Sequence, residues 1–510
     1  MRAKANRRAA FPALLCVEPL ESRRLLSGTV LQTNLVSDLP GVAAVQDPNL
    51  VNPWGITASG TSPFWISDNN AGVSTLYSVP GAGSTPVSIN SLVVSMPTPV
   101  DPLGASGTPT GTVFNLDGGA TGGFKVSGFT KTGAATSAAA IFLFATEDGT
   151  IIGWNPGVNP SGFDPAKAGT YGIIAVDNSG NNFTEPNPDL QTGAVYKGLA
   201  IASGGGAPIA STDPASTFLL YATNFRSGQV EVYDPNFKPA TLPSGAFSDP
   251  NLPKDYAPFN VQVLNDKVYV TYARQDDAKH DDLPGPGRGF VDVFNLDGTP
   301  GLAGGNVRLA SRGALDAPWG LAIAPSTFGS LAGDLLVGNF GTGDGFINVF
   351  NPTTGAPLGQ LTDPDGEPIQ INGLWALRVG NGGAGGSTGS VYFTAGLFNE
   401  THGLFGSLTP VAAGTPEGPA EAQLALAALD NAQLNLTTVQ NDIAGNASPS
   451  QFRQDLQAFR TSVDTLEDVD HSFDRDILSD NTGSGTTDPD AAIDTFLAGL
   501  HKLDLDGPHM

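Results

Sequence analysis

The chain of 510 residues is poor in the residue types that most often build reactive centres. It contains one cysteine, Cys16, so no disulfide can form within the chain. It contains five histidines, of which only His280 and His402 precede residue 411, which argues against a centre made of several histidines. No run of about twenty apolar residues occurs, so we predict no membrane-spanning helix.

Basic residues are also scarce. The chain has 24 Lys and Arg residues against 49 Asp and Glu residues, which gives a net charge of −25 at pH 7. A surface of this sign repels nucleic acid and anionic lipid, so we predict no nucleic-acid partner. The same surface is compatible with divalent cations or simply with solubility.

Glycine and proline are abundant and recur at similar positions. The chain has 65 Gly and 40 Pro residues, and six short motifs containing them each lead into two apolar runs. The motifs are Asn52-Pro53-Trp54-Gly55, Pro109-Thr110-Gly111, Tyr196-Lys197-Gly198, Ala257-Pro258-Phe259-Asn260, Ala317-Pro318-Trp319-Gly320 and Asn372-Gly373-Leu374-Trp375. A repeat of roughly 55–60 residues built from short strands is typical of blades arranged around an axis.

The repeat predicts an all-β, six-bladed β-propeller with a small α-helical extension at the carboxyl end. We place the propeller at 29–410, and we expect the strand at 29–37 to pair with the last unit and close the ring. A linker at 411–419 and an α-helical region at 420–510 follow. Helical spacing of apolar residues predicts a helix over 421–443, and Ser448-Pro449 with Gln451 predicts a second helix start.

We predict that residues 1–28 form an export leader. A basic segment precedes a short apolar stretch, and then comes Leu20-Glu21-Ser22-Arg23-Arg24-Leu25-Leu26. This segment resembles the LEPR-XLL leader of large exported bacterial proteins, with Ser22 in place of the proline. The resemblance implies export to the cell envelope or the extracellular space.

Several motifs between residues 30 and 410 have distinctive sequences. The motifs are Asn52-Pro53-Trp54-Gly55, 145–151 (ATEDGTI), 317–322 (APWGLA), 335–341 (LLVGNFG) and 402–406 (HGLFG). Together they resemble a family of uncharacterised bacterial six-bladed β-propeller proteins whose fold is similar to the NHL-repeat and SMP-30 propellers. The resemblance implies the fold and, for some members, export, but no activity.

Polar residues that follow the second strand of each repeat are candidate metal ligands, because propeller geometry brings such positions together near the axis. Glu147 is the foremost candidate, and Asp68, Asn224 and Asn339 occupy comparable places. Ligands that offer only oxygen suit calcium or magnesium better than zinc, so Ca²⁺ is the cofactor to test. The alternative is that these residues form hairpin turns and cap backbone groups.

Three further sets of residues have two interpretations each. His402 beside Glu400 is a candidate general base with an orienting carboxylate, or it packs under the last turn. Arg274 begins a charged run, 274–282, that either contacts a ligand at a pocket mouth or is a solvated loop. The remaining set either stacks on a sugar ring or packs between blades, and it consists of Trp54, Trp319 and Trp375.

Two functions therefore remain open. One is an exported scaffold, predicted to be monomeric, that binds an unknown protein, carbohydrate or small molecule. The other is a divalent-metal-dependent hydrolase, similar to a lactonase or phosphoesterase, with its site at the propeller axis.

Overall fold

The computed structural model describes residues 28–80, 87–118, 122–203, 217–341, 345–415, 420–445, 447–477, 493, 495–497 and 500. This part of the chain is mostly β-sheet with few helices. Residues 1–27 of the expected leader, and most of the region after 477, lie outside the described residues.

The first half of the chain forms two leading strands and then three antiparallel units, which we number in chain order. The leading strands are β1 (Gly28–Ser37) and β2 (Val45–Gln46). Unit 1 comprises β3 (Pro53–Thr57), β4 (Phe64–Asp68), β5 (Val73–Ser78), β6 (Ser88–Ile89) and β7 (Val94–Ser95). Unit 2 comprises β8 (Pro109–Phe114), the hairpin β9 (Lys125–Phe129) and β10 (Ala135–Ala139), β11 (Phe142–Thr146), β12 (Thr150–Trp154) and β13 (Ile173–Asp177). Unit 3 comprises β14 (Tyr196–Ser203), β15 (Phe218–Asn224) and β16 (Gln229–Tyr233).

Three more units follow in the same antiparallel order. Unit 4 comprises β17 (Tyr256–Leu264), β18 (Lys267–Arg274), β19 (Gly289–Phe294) and β20 (Arg308–Ser311). Unit 5 comprises β21 (Pro318–Ile323), β22 (Leu335–Asn339), β23 (Ile347–Phe350) and β24 (Pro357–Thr362). Unit 6 comprises β25 (Leu374–Val379), β26 (Val391–Gly396) and β27 (His402–Pro410).

The leading strand β1 completes unit 6. It pairs antiparallel with β27, from Val30 opposite Pro410 to Ser37 opposite Leu404. Its first residues also pair parallel with β24, which joins units 5 and 6 into one nine-stranded sheet. The predicted pairing of the strand at 29–37 with the last unit is confirmed.

The first strands of the six units contact one another in a closed cycle, in the order β3, β8, β14, β17, β21, β25 and back to β3. Glycines in the repeated motifs allow this close approach. A Cβ added at Gly55 would lie 2.4 Å from the carbonyl oxygen of Thr110, and one at Gly111 would lie 2.3 Å from the amide nitrogen of Leu199. The glycine of the motif is therefore needed because a neighbouring backbone occupies the place of its side chain.

The α-helices among the described residues are few, and all of them come after β26. A short helical turn α1 (Leu397–Glu400) lies between β26 and β27, and the longer helices are α2 (Ala420–Gly445) and α3 (Pro449–Ile477). The Ser448 hydroxyl caps α3 by accepting from the Gln451 amide at 3.2 Å, as the sequence predicts. The helices α2 and α3 pack on each other, and α2 also contacts β1.

Buried residues of α2 belong to the same apolar core as the end of the sheet array. Ala425, Ala428 and Leu429 lie in one cluster with Val30 and Val42. Among the described residues, no helix combines the length and apolar character that crossing a membrane requires.

Candidate functional site

A cavity of about 920 Å³ lies where the first strands begin. Its wall combines the starts of these strands with loops from several units, so residues distant in sequence converge there. The lining residues used below are Trp54, Asn69, Asn70, Glu147, Lys197, His280, Asp281, Asp282, Phe340, Asn372, Trp375, Asn399, Glu400 and Thr461. We call this space the axial cavity.

Lys197 is the central cation of the axial cavity. It is the second residue of β14, and only 2% of its side chain is exposed. Its ammonium donates to Glu147 and lies 3.4 Å from Asp281 Oδ1 and 5.0 Å from the ring centroid of Trp54. Burial alone would lower the pKa of Lys197, but the carboxylates of Glu147 and Asp281 outweigh burial and raise it. Lys197 is therefore charged at neutral pH.

Glu147 links three units through its side chain. It lies in the turn between β11 and β12, and 11% of its side chain is exposed. One carboxylate oxygen accepts from Lys197 of unit 3, and the other accepts from Asn69 Nδ2 of unit 1 at 2.9 Å. Both oxygens are thus fixed by donors from other units.

The loop after β18 brings three titratable groups to the cavity. His280 Nδ1 lies 2.8 Å from Asp281 Oδ1. Burial would lower the pKa of His280, but the bond to Asp281 and the charge of Glu147 raise it overall. Burial would raise the pKa of Asp281, but His280 and Lys197 lower it below its usual range. Burial raises the pKa of Asp282 to about 7.

Glu400 supplies a second carboxyl group with a raised pKa. Burial, followed by the charge of Glu147, raises the pKa of Glu400 to about 7. Its Oε2 accepts from Asn52 Nδ2 at 2.7 Å, and its main-chain oxygen accepts from Asn70 Nδ2 at 2.6 Å. Two carboxyl groups that change protonation near neutral pH therefore line one cavity, an arrangement that favours acid–base work or pH-dependent binding.

The floor of the axial cavity is formed by aromatic rings whose faces are covered by one another. Trp54 and Trp375 stack with ring centroids 3.5 Å apart, and Phe340 stacks on Trp375 at 3.8 Å. Trp319 meets Trp375 edge-on at 5.8 Å. The exposed fractions of Trp54, Trp319 and Trp375 are 3%, 3% and 1%, so these rings pack against each other and offer almost no open stacking face.

The other proposed metal ligands lie apart from Glu147. Asp68 is buried, with Oδ2 accepting from the Thr75 amide and hydroxyl at 3.0 and 2.8 Å. Asn224 Nδ2 donates to Glu231 at 2.7 Å, and Asn339 Nδ2 donates to the carbonyl of Ala314 at 2.8 Å. These three side chains are bonded within their own surroundings and do not converge on the axial cavity.

The structure instead brings together Glu147, His280 and Asp281, whose potential ligand atoms lie within 4.8 Å of one another. The Lys197 ammonium is bonded to Glu147 and close to Asp281, so a positive charge already occupies this group. A calcium ion prefers six to eight oxygen ligands. The residues present, as they are arranged, do not fit a calcium ion.

His402 and Arg274 also lie outside the cavity lining. His402 Nδ1 lies 2.6 Å from Asp38 Oδ2, so its carboxylate partner is Asp38 and not the neighbouring Glu400. Arg274 Nε donates to Asp255 Oδ2 at 2.9 Å on the surface, where 37% and 51% of the two side chains are exposed. Glu400 and His402 therefore face different surroundings despite their proximity in sequence.

Lys197 is the residue that sequence reasoning missed although a signal was present. The corresponding positions in the other motifs hold Trp54, Thr110, Phe259, Trp319 and Trp375. Unit 3 has a lysine at the position where the other units have an apolar or hydroxyl side chain. This difference in residue type was the signal for a site residue. His280 and Asp281 belong to the charged run 274–282, for which the sequence left open a loop at a pocket mouth or a solvated loop; these two residues lie on the cavity, whereas Arg274 lies on the surface.

Two curated relatives of the chain are uncharacterized proteins. The chain is 30% identical over 399 residues to uncharacterized protein R648 of Acanthamoeba polyphaga mimivirus, which covers 77% of this chain and 83% of that protein. It is 30% identical over 403 residues to uncharacterized protein L690 of the same virus, covering 77% and 88%. No family model matches the chain.

Two solved structures show a weaker structural similarity to the chain. A streptogramin B lyase gives a TM-score of 0.34 at 11% identity, covering 75% of this chain and 97% of that one. A candidate gluconolactonase gives a TM-score of 0.27 at 15% identity, covering 59% and 97%. Neither likeness supports an assignment of activity.

The cycle of first strands around an axial cavity defines a β-propeller protein. The chain belongs to the family of the two mimivirus proteins named above. The motifs led us to expect a family of bacterial proteins. The relatives named above are viral, so the expectation that the family is bacterial is corrected.

Proposed function

We propose that the protein is an exported, monomeric, six-bladed β-propeller that acts as a binding scaffold and holds a small polar ligand in the axial cavity. The six antiparallel units and the closed cycle of their first strands support the number of blades. The observation that carries the binding proposal is the bonded group of Lys197, Glu147 and Asp281 inside a cavity of about 920 Å³. Ligand sites are typically clefts of about 300–1,000 Å³ with a few fixed polar groups.

The chemistry of the lining favours a neutral, polyhydroxylated ligand such as a saccharide. The carboxyl groups of Glu147, Asp281, Asp282 and Glu400 outnumber the cations Lys197 and His280, which disfavours an anion. Hydroxyl groups can donate to these carboxylates and accept from side-chain amides, of which Asn69, Asn70, Asn372 and Asn399 line the same cavity. Recognition would rest on these hydrogen bonds, because the tryptophan faces are covered.

Calorimetric titration with a panel of neutral saccharides and polyols tests the binding proposal. We expect at least one to bind, and we expect Asp281→Asn to weaken its binding about tenfold or more, since hydrogen bonds to charged groups are worth roughly 1.5–3 kcal/mol. The matched control is Asp277→Asn, an exposed residue of the same loop. Equal affinities in both variants and the unaltered chain would contradict a site in the axial cavity.

The alternative is a divalent-metal-dependent hydrolase, and one observation favours it, namely the clustering of Glu147, His280 and Asp281. It requires Lys197 to leave the carboxylates. Elemental analysis and a thermal shift on adding and chelating calcium test it. A bound metal, together with calcium-dependent hydrolysis of lactones or phosphoesters, would replace the scaffold proposal.

Export and the monomeric state are tested separately. The leader resemblance supports export, so fractionation of cells producing the full chain, with and without residues 1–28, should show that transport depends on the leader. Light scattering coupled to size-exclusion chromatography should give the mass of one chain. A dimer, or equal export of both forms, would contradict these parts of the proposal.

A further inference from the structure

A second, smaller cavity of about 160 Å³ lies further along the same first strands. Trp54, Lys197 and Trp375 line the axial cavity, whereas the residues that follow them, including Ile56, Leu199 and Arg378, line the smaller one. Trp319, which meets Trp375 edge-on, lines the smaller space. We call the smaller space the distal cavity.

Arg378 is the only charged residue in the lining of the distal cavity, where the other side chains are apolar or neutral. Its Nη2 donates to the carbonyl oxygen of Ala58 at 3.1 Å, and its Nε is buried without a hydrogen-bond partner. Among the described residues, no carboxylate forms an ion pair with it. Burial lowers the pKa of Arg378 to about 10, so it remains charged at neutral pH.

Two other arginines pair with carboxylates, whereas the buried Arg226, whose Nε also has no partner, donates through its other nitrogens to neutral acceptors. Arg308 pairs with Asp249 and Asp292, with its Nε 2.6 Å from Asp292 Oδ1. The surface residue Arg274 pairs with Asp255. The Arg378 side chain is only partly buried, but its Nε is buried without an acceptor, which is unfavourable unless an anion or a water supplies one.

We propose that the distal cavity binds a small oxyanion, a carboxylate or an inorganic phosphate or sulfate, with Arg378 as its main ligand. The guanidinium presents planar donors that match an oxyanion, and the buried Nε is one of them. A second polar side chain, Gln262, lines the same space and can donate through its amide. The absence of carboxyl groups from this lining distinguishes it from the acidic axial cavity.

The size of the distal cavity limits the ligand. A volume of about 160 Å³ has room for several waters or for one small anion. A single oxyanion group fits this space, whereas a sugar phosphate or a nucleotide would have to extend out of it. The site is therefore suited to a free small anion or to the carboxylate end of a small molecule.

Titration calorimetry at constant ionic strength with phosphate, sulfate and acetate tests the proposal on the full chain. We expect one of these anions to bind, and we expect Arg378→Gln to weaken binding at least tenfold. The control is Arg274→Gln, which removes an arginine from the surface and should leave the affinity unchanged. Preference for acetate would identify a carboxylate site, and preference for phosphate or sulfate would identify a tetrahedral-oxyanion site.

Anomalous diffraction from wild-type crystals soaked in selenate or bromide gives a second measurement that does not depend on the folding of Arg378→Gln. A peak beside the guanidinium of Arg378 supports the site. Absence of such a peak, together with no binding of any of the three anions, would overturn it. So would binding that is equal in the wild type and Arg378→Gln.

Discussion

Lys197 donates a hydrogen bond to Glu147 across the boundary between units 3 and 2, and both side chains are almost completely buried. Each of these charges, if left alone, would lie in a low-dielectric environment without compensation. The pair therefore stabilises the ring of units only while both partners are present. It also places the one lysine of the axial cavity at the meeting point of three units, since Glu147 is bonded to Asn69 as well.

Replacing Lys197 by methionine should destabilise the protein by about 3–5 kcal/mol, because the substitution leaves Glu147 buried without its counter-charge. Urea unfolding followed by tryptophan fluorescence measures this loss. The double variant Lys197→Met/Glu147→Gln should recover most of it, since no unpaired charge then remains.

A surface ion pair provides the control for this prediction. Arg274→Gln removes the exposed partner of Asp255 and should change the unfolding free energy by less than about 1 kcal/mol. A similar small loss in Lys197→Met would show that the pair with Glu147 is not important for stability.

The raised pKa values of Glu400 and Asp282, each about 7, predict a dependence of stability on pH. Between about pH 4 and pH 7 the folded chain binds more protons at these groups than the unfolded chain does, so stability is lost as the pH rises through that window. The raised pKa of His280 acts in the same direction. We expect a loss of about 1–2 kcal/mol per carboxyl group between pH 5 and pH 8, after allowance for solvent screening.

Urea unfolding at pH 5 and pH 8 measures this effect. Glu400→Gln should reduce the difference between the two pH values, because the amide does not ionise. The control Asp277→Asn, an exposed residue in the same loop as Asp282, should leave the difference unchanged. A wild-type protein that gains stability from pH 5 to pH 8, with no effect of Glu400→Gln, would contradict the assignment.

Much of the framework could be predicted from the sequence because it follows from local patterns. The glycine in each early motif marks close contact between neighbouring first strands, as at Gly55 against Thr110. The alternation over 29–37 predicted a strand, and closure of a sheet array requires that strand to pair with the last unit. The start of α3 at Ser448-Pro449 follows from capping chemistry alone.

The candidate site could be predicted only in part, because its residues meet through tertiary structure. Glu147 was selected by its place after a second strand, and the structure puts it on the axial cavity. His280 and Asp281 reach the same cavity on a long loop whose path no periodicity reveals. Asn224 and Asn339 follow second strands too, yet they bind their own neighbours, since turn chemistry and site chemistry use the same residue types.

The helical hairpin of α2 and α3 should open when its contact with the sheets is weakened. Leu429 of α2 is 5% exposed and packs in the cluster that contains Val30 and Val42, and Thr461 of α3 lines the axial cavity. We expect Leu429→Ala to destabilise the docked hairpin by about 2–4 kcal/mol. Hydrogen exchange measured by mass spectrometry should then be faster in α2 and α3 but unchanged in units 2 to 4.

A leucine on the exposed face of the same helix is the matched control. Leu434 is 66% exposed, so Leu434→Ala should leave exchange in both helices as it is in the wild type. Identical exchange in the two variants would show that the buried face of α2 does not hold the hairpin in place.

Asn52 should link the aromatic floor of the axial cavity to Glu400 through hydrogen bonds of its side chain. Its Oδ1 accepts from Trp375 Nε1 at 3.0 Å and its Nδ2 donates to Glu400 at 2.7 Å, while its backbone has a φ of 48°. Asn52→Ala removes both bonds and places a Cβ residue without a compensating polar group in the left-handed region, so we expect a loss of about 2–4 kcal/mol.

The comparison of Asn52→Ala with Asn52→Gly separates the two causes, since glycine tolerates the positive φ but makes neither side-chain bond. We expect Asn52→Gly to be more stable than Asn52→Ala by about 1 kcal/mol and still less stable than the wild type. Because the bond from Asn52 lowers the pKa of Glu400, both variants should raise that pKa above its present value of about 7. Carboxyl titration followed by NMR would measure this change, and an unaltered midpoint in both variants would show that Asn52 does not control Glu400.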